Sequence, residues 1–349
     1  MTARIGVVGV GWWATFNHLP TLAGSSDARA VALCDRDPER LRIARDRFGI
    51  DALYTDAGAM LAAERLDGVI VSTPHHAHAE PAIAALRAGA HVLVEKPMAT
   101  RVEDARAIAA AAREAGRQVM VPTAYSFTGF TQSAADWVRN GRIGEVRHCV
   151  CQMGSALADL FSGAPMLETE GHLFRPPAST WADPAHAGGY GWGQLSHALA
   201  WLFHVADIEF ADVYGLTGLS ATGVDFYDAA VAHATNGATI ALSGSATMPK
   251  HCGLHLDIRI YGSEGTILWD SEANRGRLEL RRLDGDDAVV TLRPGEYDYD
   301  GALPVRTFAA LCAGRPVVNP ADADNGVRVV EALDAMYRSA KSGNREQTR

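Results

Sequence analysis

The sequence predicts an α/β chain: a doubly wound parallel sheet over residues 1–123, then an α+β unit over 124–349 built on a large, mostly antiparallel, open-faced sheet. Three observations carry this. In the first third, short apolar runs alternate with helical patterns, and a glycine-punctuated turn directly follows the first run. From about Val213 onward, strand patterns dominate. At 349 residues, 48% of them apolar and 21% charged, the chain is neither disordered nor fibrous and has the length of two domains.

The runs Ile5–Val10, Ala30–Cys34, Val69–Val71, His91–Val94 and Val119–Val121 lack polar alternation, so both faces of each strand are expected to be covered. The stretches between them are long enough for crossover helices. One opens with Thr100-Arg101-Val102-Glu103, a capping box, and sets Val102, Ala105, Ile108, Ala109 and Ala112 on one face. After Pro122 the pattern changes: a helix near Gly129–Asn140, a strand around Val146–Gln152, a loop-like stretch from Gly154 to His186, and a helix over Gly189–Val205. A loop of that length usually has a function. Further on come a hairpin at Asn236-Gly237, the alternating Leu254, Leu256, Ile258 and Ile260 turning at Gly262–Gly265, and a helix marked by Val329, Val330, Leu333, Met336 and Tyr337. No internal repeat is present.

The composition excludes several classes of function. A net charge of −9 without a basic cluster offers no footprint for nucleic acid. No apolar run approaches a membrane span, and the glycine-punctuated start does not read as a signal peptide. Five cysteines, an odd number without a disulfide framework, fit a reducing compartment, so a cytoplasmic protein is expected. Small-molecule chemistry is left.

Gly9-Val10-Gly11-Trp12-Trp13-Ala14 follows the first strand as a dinucleotide loop of the Rossmann type. Gly9 and Gly11 stand where the chain must turn and let backbone approach a pyrophosphate, Ala14 where helix and strand pack closely, and the helix start offers free N–H groups. Asp35, 21 residues beyond Ala14, is placed to accept from both ribose hydroxyls and to repel a 2′-phosphate. NAD is therefore favoured over NADP, although Arg36 could stack on adenine or pair with such a phosphate. Residues 72–78, Ser72-Thr73-Pro74-His75-His76-Ala77-His78, should face this loop across the switch point. Three histidines in four residues invite a metal reading, but one tight loop seldom aims them all at one ion and no further ligand stands at a suitable spacing. Ser72, Thr73, Pro74, His75 and His78 are read as cofactor contacts, and no metal is expected. The next strand ends in Glu95-Lys96-Pro97, which brings Glu95 and Lys96 near the nicotinamide. Burial and a pyridinium charge would lower the Lys96 pKa and suit it to exchanging a hydroxyl proton.

The combination of Gly9–Ala14, Ser72–His78 with Ala79-Glu80, His91–Pro97, Arg142-Ile143-Gly144-Glu145-Val146 and the glycine-led Gly188–His197 resembles the Gfo/Idh/MocA family of glucose-fructose oxidoreductase and inositol dehydrogenase-like enzymes over nearly the whole chain. The resemblance implies a cis Lys96-Pro97 peptide, and a catalytic His197 preceded four residues earlier by an Asp. That Asp position is Gly193 here, so the carboxylate is missing, and Gln194 stands beside it at i, i+3 from His197. Substrate contacts are expected from Lys96, Tyr125, Trp181, His186, Tyr190, Gln194 and His197, with Trp192 bordering the pocket; the aromatics could equally serve as core. The implied function is NAD-dependent oxidation of a secondary hydroxyl of a sugar, inositol or related polyol, or the reverse reduction. Lys96 would take the proton directly or through His197. An NAD-dependent glycoside hydrolase and a non-catalytic NAD-binding sugar sensor are the alternatives. The open sheet face, which seeks cover, and the family both imply a homodimer or homotetramer.

Overall fold

The structure is a computed structural model and describes residues 2–272, 276–293 and 295–348. The first sheet contains β1 (Ala3–Val8), β2 (Ala28–Cys34), β3 (Ala52–Tyr54), β4 (Gly68–Val71), β5 (His91–Val94) and β6 (Val119–Met120). They pair in parallel in the order β3-β2-β1-β4-β5-β6. The order reverses between β1 and β4, which opens a crevice at their carboxyl ends. Ile5, Val7, Val69, Ile70, Val71, Val92, Leu93 and Val94 are all fully buried, as unbroken apolar runs require. β3 was not legible as a strand, because three residues carry no period.

Two helix starts in this half are capped differently. Asp37 caps the helix Pro38–Phe48 by accepting from the Glu39 and Arg40 N–H groups. The expected capping box at Thr100 is not formed: the helix Val102–Ala115 starts one residue late for it, with Arg101 at the cap and no side-chain cap bond. Val102, Ala105, Ile108, Ala109 and Ala112 are buried along its expected face.

The second sheet contains β7 (Val146–Gly154), β8 (Phe210–Leu219), β9 (Asp225–Ala234), β10 (Thr239–Ser245), β11 (His255–Gly262), β12 (Gly265–Asp270), β13 (Arg277–Arg282), β14 (Ala288–Val290) and β15 (Glu346–Gln347). Among the described residues the order is β14-β13-β12-β11-β7-β10-β9-β8-β15, and only β7 and β10 pair in parallel. Leu256, Ile258 and Ile260 of β11 point into the core, which the helix Ser196–Ala206 covers. The other face leaves Leu216, Tyr227 and Val231 exposed.

The helix Ala302–Cys312 crosses back to the first sheet. Its Val305, Phe308, Ala309 and Leu311 pack with Ile5, Val7, Leu33, Ile70 and Leu93. Gly68 is required there, since a Cβ would lie 2.5 Å from Cys312 Sγ and 2.8 Å from the Phe308 ring. The last long helix, Ala323–Ser342, lies against both β8 and the helix Val102–Ala115. Among the described residues, no helix is long and apolar enough to cross a membrane.

Candidate active site

The crevice at the switch point continues into a cavity of about 1040 Å³ that reaches from Gly9 on one side to Leu254 and Tyr299 on the other. Gly9 turns the chain out of β1 at φ +86°, its N–H donating to Cys34 O at 2.8 Å. A Cβ there would stand 2.5 Å from Ser72 O, so the β1 and β4 loops can approach only through glycine. At Gly11 nothing lies within 4 Å of a Cβ, so the missing side chain leaves backbone bare toward the crevice. Asp35 Oδ2 accepts from Val10 N at 2.8 Å and Oδ1 from Asp37 N at 3.0 Å, while Arg40 Nη1 lies 3.5 Å from Oδ2. One carboxylate thus braces the loop and borders the cavity. Bare backbone beside an acid at the strand end fits the pyrophosphate and ribose of a dinucleotide. Trp12, Trp13, Arg36, Ser72, Thr73, Pro74, His75, His78 and Glu95 line the same cavity.

The three histidines of the β4 loop aim at different partners. His78 lies between Pro97 O, 2.8 Å from Nδ1, and Thr73 O, 2.9 Å from Nε2. His75 Nδ1 lies 3.1 Å from Ala187 O and the ring meets Trp181 edge-on at 4.8 Å. Burial, more than its cationic neighbours, brings His75 down to about 3. His76 stacks obliquely on His186 at 4.5 Å.

Lys96 and His197 line the same cavity. The Lys96 ammonium donates to Gly193 O at 2.5 Å and sits 4.9 Å from the centre of the Trp181 ring. Burial brings its pKa down to about 8 against the opposing pull of Glu95. Glu95 is itself buried, with Oε1 3.0 Å from His18 Nε2 and Oε2 accepting from Lys96 N at 3.2 Å. Burial acts to raise its carboxyl, but His18 and Lys96 together hold it below the usual carboxylate value. The Lys96-Pro97 peptide is cis. His197, on the helix Ser196–Ala206, is held neutral by burial and then by the Lys96 charge, and its Nδ1 has no hydrogen-bond partner among the described residues. A Cβ at Gly193 would stand 2.9 Å from the Phe161 ring and 3.3 Å from Trp181. The volume of the missing side chain is therefore occupied by aromatic carbon, and Lys96 turns to a main-chain oxygen instead.

Residues 3–123 match a family profile described as an oxidoreductase family with an NAD-binding Rossmann fold, and residues 131–268 match the Gfo/Idh/MocA C-terminal domain. The chain belongs to the Gfo/Idh/MocA oxidoreductase family. Among its relatives, D-apiose dehydrogenase of Paraburkholderia graminis is 39% identical over 161 residues, which span 46% of this chain and 42% of that protein, less than half of either. An uncharacterized oxidoreductase of Rhizobium meliloti is 28% identical across 98% of both chains. Levoglucosan dehydrogenase, solved in complex with NADH, shares the fold at a TM-score of 0.77 and 20% identity, with full coverage of both chains.

Within this Gfo/Idh/MocA chain, Trp181 and Gln194 line the cavity with Lys96 and His197, whereas three expected substrate contacts do not. Tyr125 is buried between Trp269 and Tyr299, each 6.0 Å away, because the turn after β6 points it into the core. Tyr190 is fully buried behind the cavity, its hydroxyl donating to Met153 O at 3.1 Å. His186 pairs with Asp183 at 2.8 Å and stacks on the outer side of His76. Trp192 is likewise turned away, stacked on Tyr337 at 5.3 Å. Conversely, Tyr299 had no sequence signal, yet it lines the cavity and meets the His197 ring at 5.5 Å. The stretch after Gly154 proves to be a cover with short helices at Ala158–Ser162 and Ala178–Trp181. It latches onto the cofactor loop: Trp12 Nε1 donates to His172 Nδ1 at 2.8 Å, and the His172 ring stacks on Phe16 at 4.1 Å.

Proposed function

We propose that this protein is an NAD-preferring dehydrogenase that oxidises a secondary hydroxyl of a sugar, inositol or related polyol, or reduces the corresponding ketone. The observation that carries this reading is the convergence of Lys96 and His197 on the same cavity that the glycine loop borders. When bound, the nicotinamide supplies the hydride acceptor. Lys96 takes the hydroxyl proton as its neutral amine, directly or through neutral His197, keeping an N–H on Gly193 O, while Gln194 orients the hydroxyl by hydrogen bonding. Trp181 gives an apolar platform with the ammonium above it, a surface suited to a sugar ring. In this reading residues 1–123 hold the cofactor and residues 124–349 the substrate and the subunit contact. The exposed Leu216, Tyr227 and Val231 of the second sheet form the contact between copies.

The test is an NADH absorbance screen with NAD or NADP against sugars, inositols, anhydrosugars and aryl glycosides, with Lys96→Ala in parallel. Oxidation should be seen with wild type, and Lys96→Ala should lose about 10²–10⁴-fold in kcat. Aglycone release without net NADH would instead identify a glycoside hydrolase, and binding without turnover a sensor. Asp35→Ala should shift selectivity from NAD toward NADP; unchanged selectivity would remove Asp35 from ribose recognition.

A further inference from the structure

Behind the turn that carries Gly193 lies a buried acid cluster that the chemistry above leaves unused. Asp225, at the start of β9, is 2% exposed, and its Oδ2 accepts from Gly191 N at 2.7 Å. Its Oδ1 accepts from the Tyr337 hydroxyl at 2.9 Å. Tyr337 comes from the last long helix, lies parallel to the Trp192 ring, and its hydroxyl accepts from Trp192 N at 3.2 Å. Two successive main-chain N–H groups are thus bound by a carboxylate and a phenol from two other elements. The glycines follow from this: a Cβ on Gly189, which sits at φ +115°, would overlap Asp225 Oδ1, and one on Gly191 would overlap the Tyr337 hydroxyl. One residue beyond the second clamped N–H, Gly193 O receives the Lys96 ammonium at 2.5 Å. Asp228, also buried, lies beside Asp225, and burial first and then the Asp225 charge push its carboxyl well above the ordinary carboxylate value.

We infer that Asp225, together with Tyr337, is a positioning residue for the proton-transfer step: it fixes Gly191 and Trp192 so that the Gly193 carbonyl holds the Lys96 amine, a main-chain substitute for a side-chain carboxylate at position 193. This rests on the reading of Lys96 as the base. The groups that face Lys96 are Glu95 with His18 behind it, His75, His197 and Tyr299. Neither β9 nor the last helix contributes one of them, so the influence of Asp225 on Lys96 passes through the turn.

The experiment compares full-length wild type, Tyr337→Phe, Asp225→Asn and Lys96→Ala in steady-state pH profiles, with KM for NAD and thermal midpoints measured alongside. Tyr337→Phe keeps the ring against Trp192 and loses only the hydroxyl's bonds. It should lower kcat about 10-fold, leave KM for NAD within about twofold, and move the acid limb of kcat/KM down by about half a pH unit, because the ammonium loses its acceptor. Asp225→Asn should act in the same direction; if it fails to fold, Tyr337→Phe decides. A lowered thermal midpoint with wild-type kcat and an unmoved acid limb would make the clamp merely structural and overturn the inference. If Lys96→Ala is inactive and Tyr337→Phe is normal, only the clamp fails; turnover surviving in Lys96→Ala removes the base reading and the clamp together.

Discussion

Burial of the Lys96 amine, which brings it down to about 8, has a definite signature in rate. The free amine is the reactive form and is populated above that value. For alcohol oxidation kcat/KM should therefore rise about tenfold per pH unit below about 8 and level off above it, which initial rates in a three-buffer series will check. A rate that falls with rising pH across this range would assign the limb to another group. Placing a carboxylate at this position by Gly193→Asp should lower turnover rather than raise it, because the new Cβ meets Phe161 at 2.9 Å and displaces the turn; the same activity assay reads this. Lys96 and the glycine loop were legible in the sequence because their chemistry is local: a strand end, a tight turn, a short spacing. Phe161, Tyr299 and Asp225 were not, since each reaches the site from a distant element and none belongs to a motif.

Among the elements, the cover over residues 155–187 is held to the cofactor loop by Trp12, Phe16 and His172, contacts that opening of the cover would break. His172→Ala removes both the acceptor for Trp12 Nε1 and the ring against Phe16. It should speed NADH release several-fold with little change in the pH profile, seen as a faster phase of tryptophan fluorescence recovery in stopped flow. The alternation along β11 and the burial of the helix Val102–Ala115 could be read from period alone. The cover could only be read as a long loop. Its helices at Ala158–Ser162 and Ala178–Trp181 are single turns, too short for a 3.6-residue pattern to emerge. The start of the next helix could be read as helical but not as the π-helical turn Gly191–Leu195, whose first two N–H groups are bound by Asp225 and Tyr337 from distant elements.

Across the whole molecule, the two sheets are joined by more than one crossing of the chain. Phe308 is fully buried against the first sheet although it lies beyond the last long strand of the second. Phe308→Ala should cost about 3–5 kcal/mol of stability, measured as a lower urea midpoint. Both sheets should unfold in the same transition. The division of the sequence into an early and a late block gave no hint of this return, because the helix Ala302–Cys312 carries an ordinary apolar face with nothing local to say which sheet it covers.

That helix also limits how the molecule can be rearranged. A fragment ending at residue 123 would leave Ile5, Val7, Leu33, Ile70 and Leu93 facing water on one side. The dinucleotide half is therefore not a transplantable cassette. A chimera that borrows a relative's second half must take residues 302–312 from the same parent as β1 to β6, so a workable splice needs two junctions rather than one.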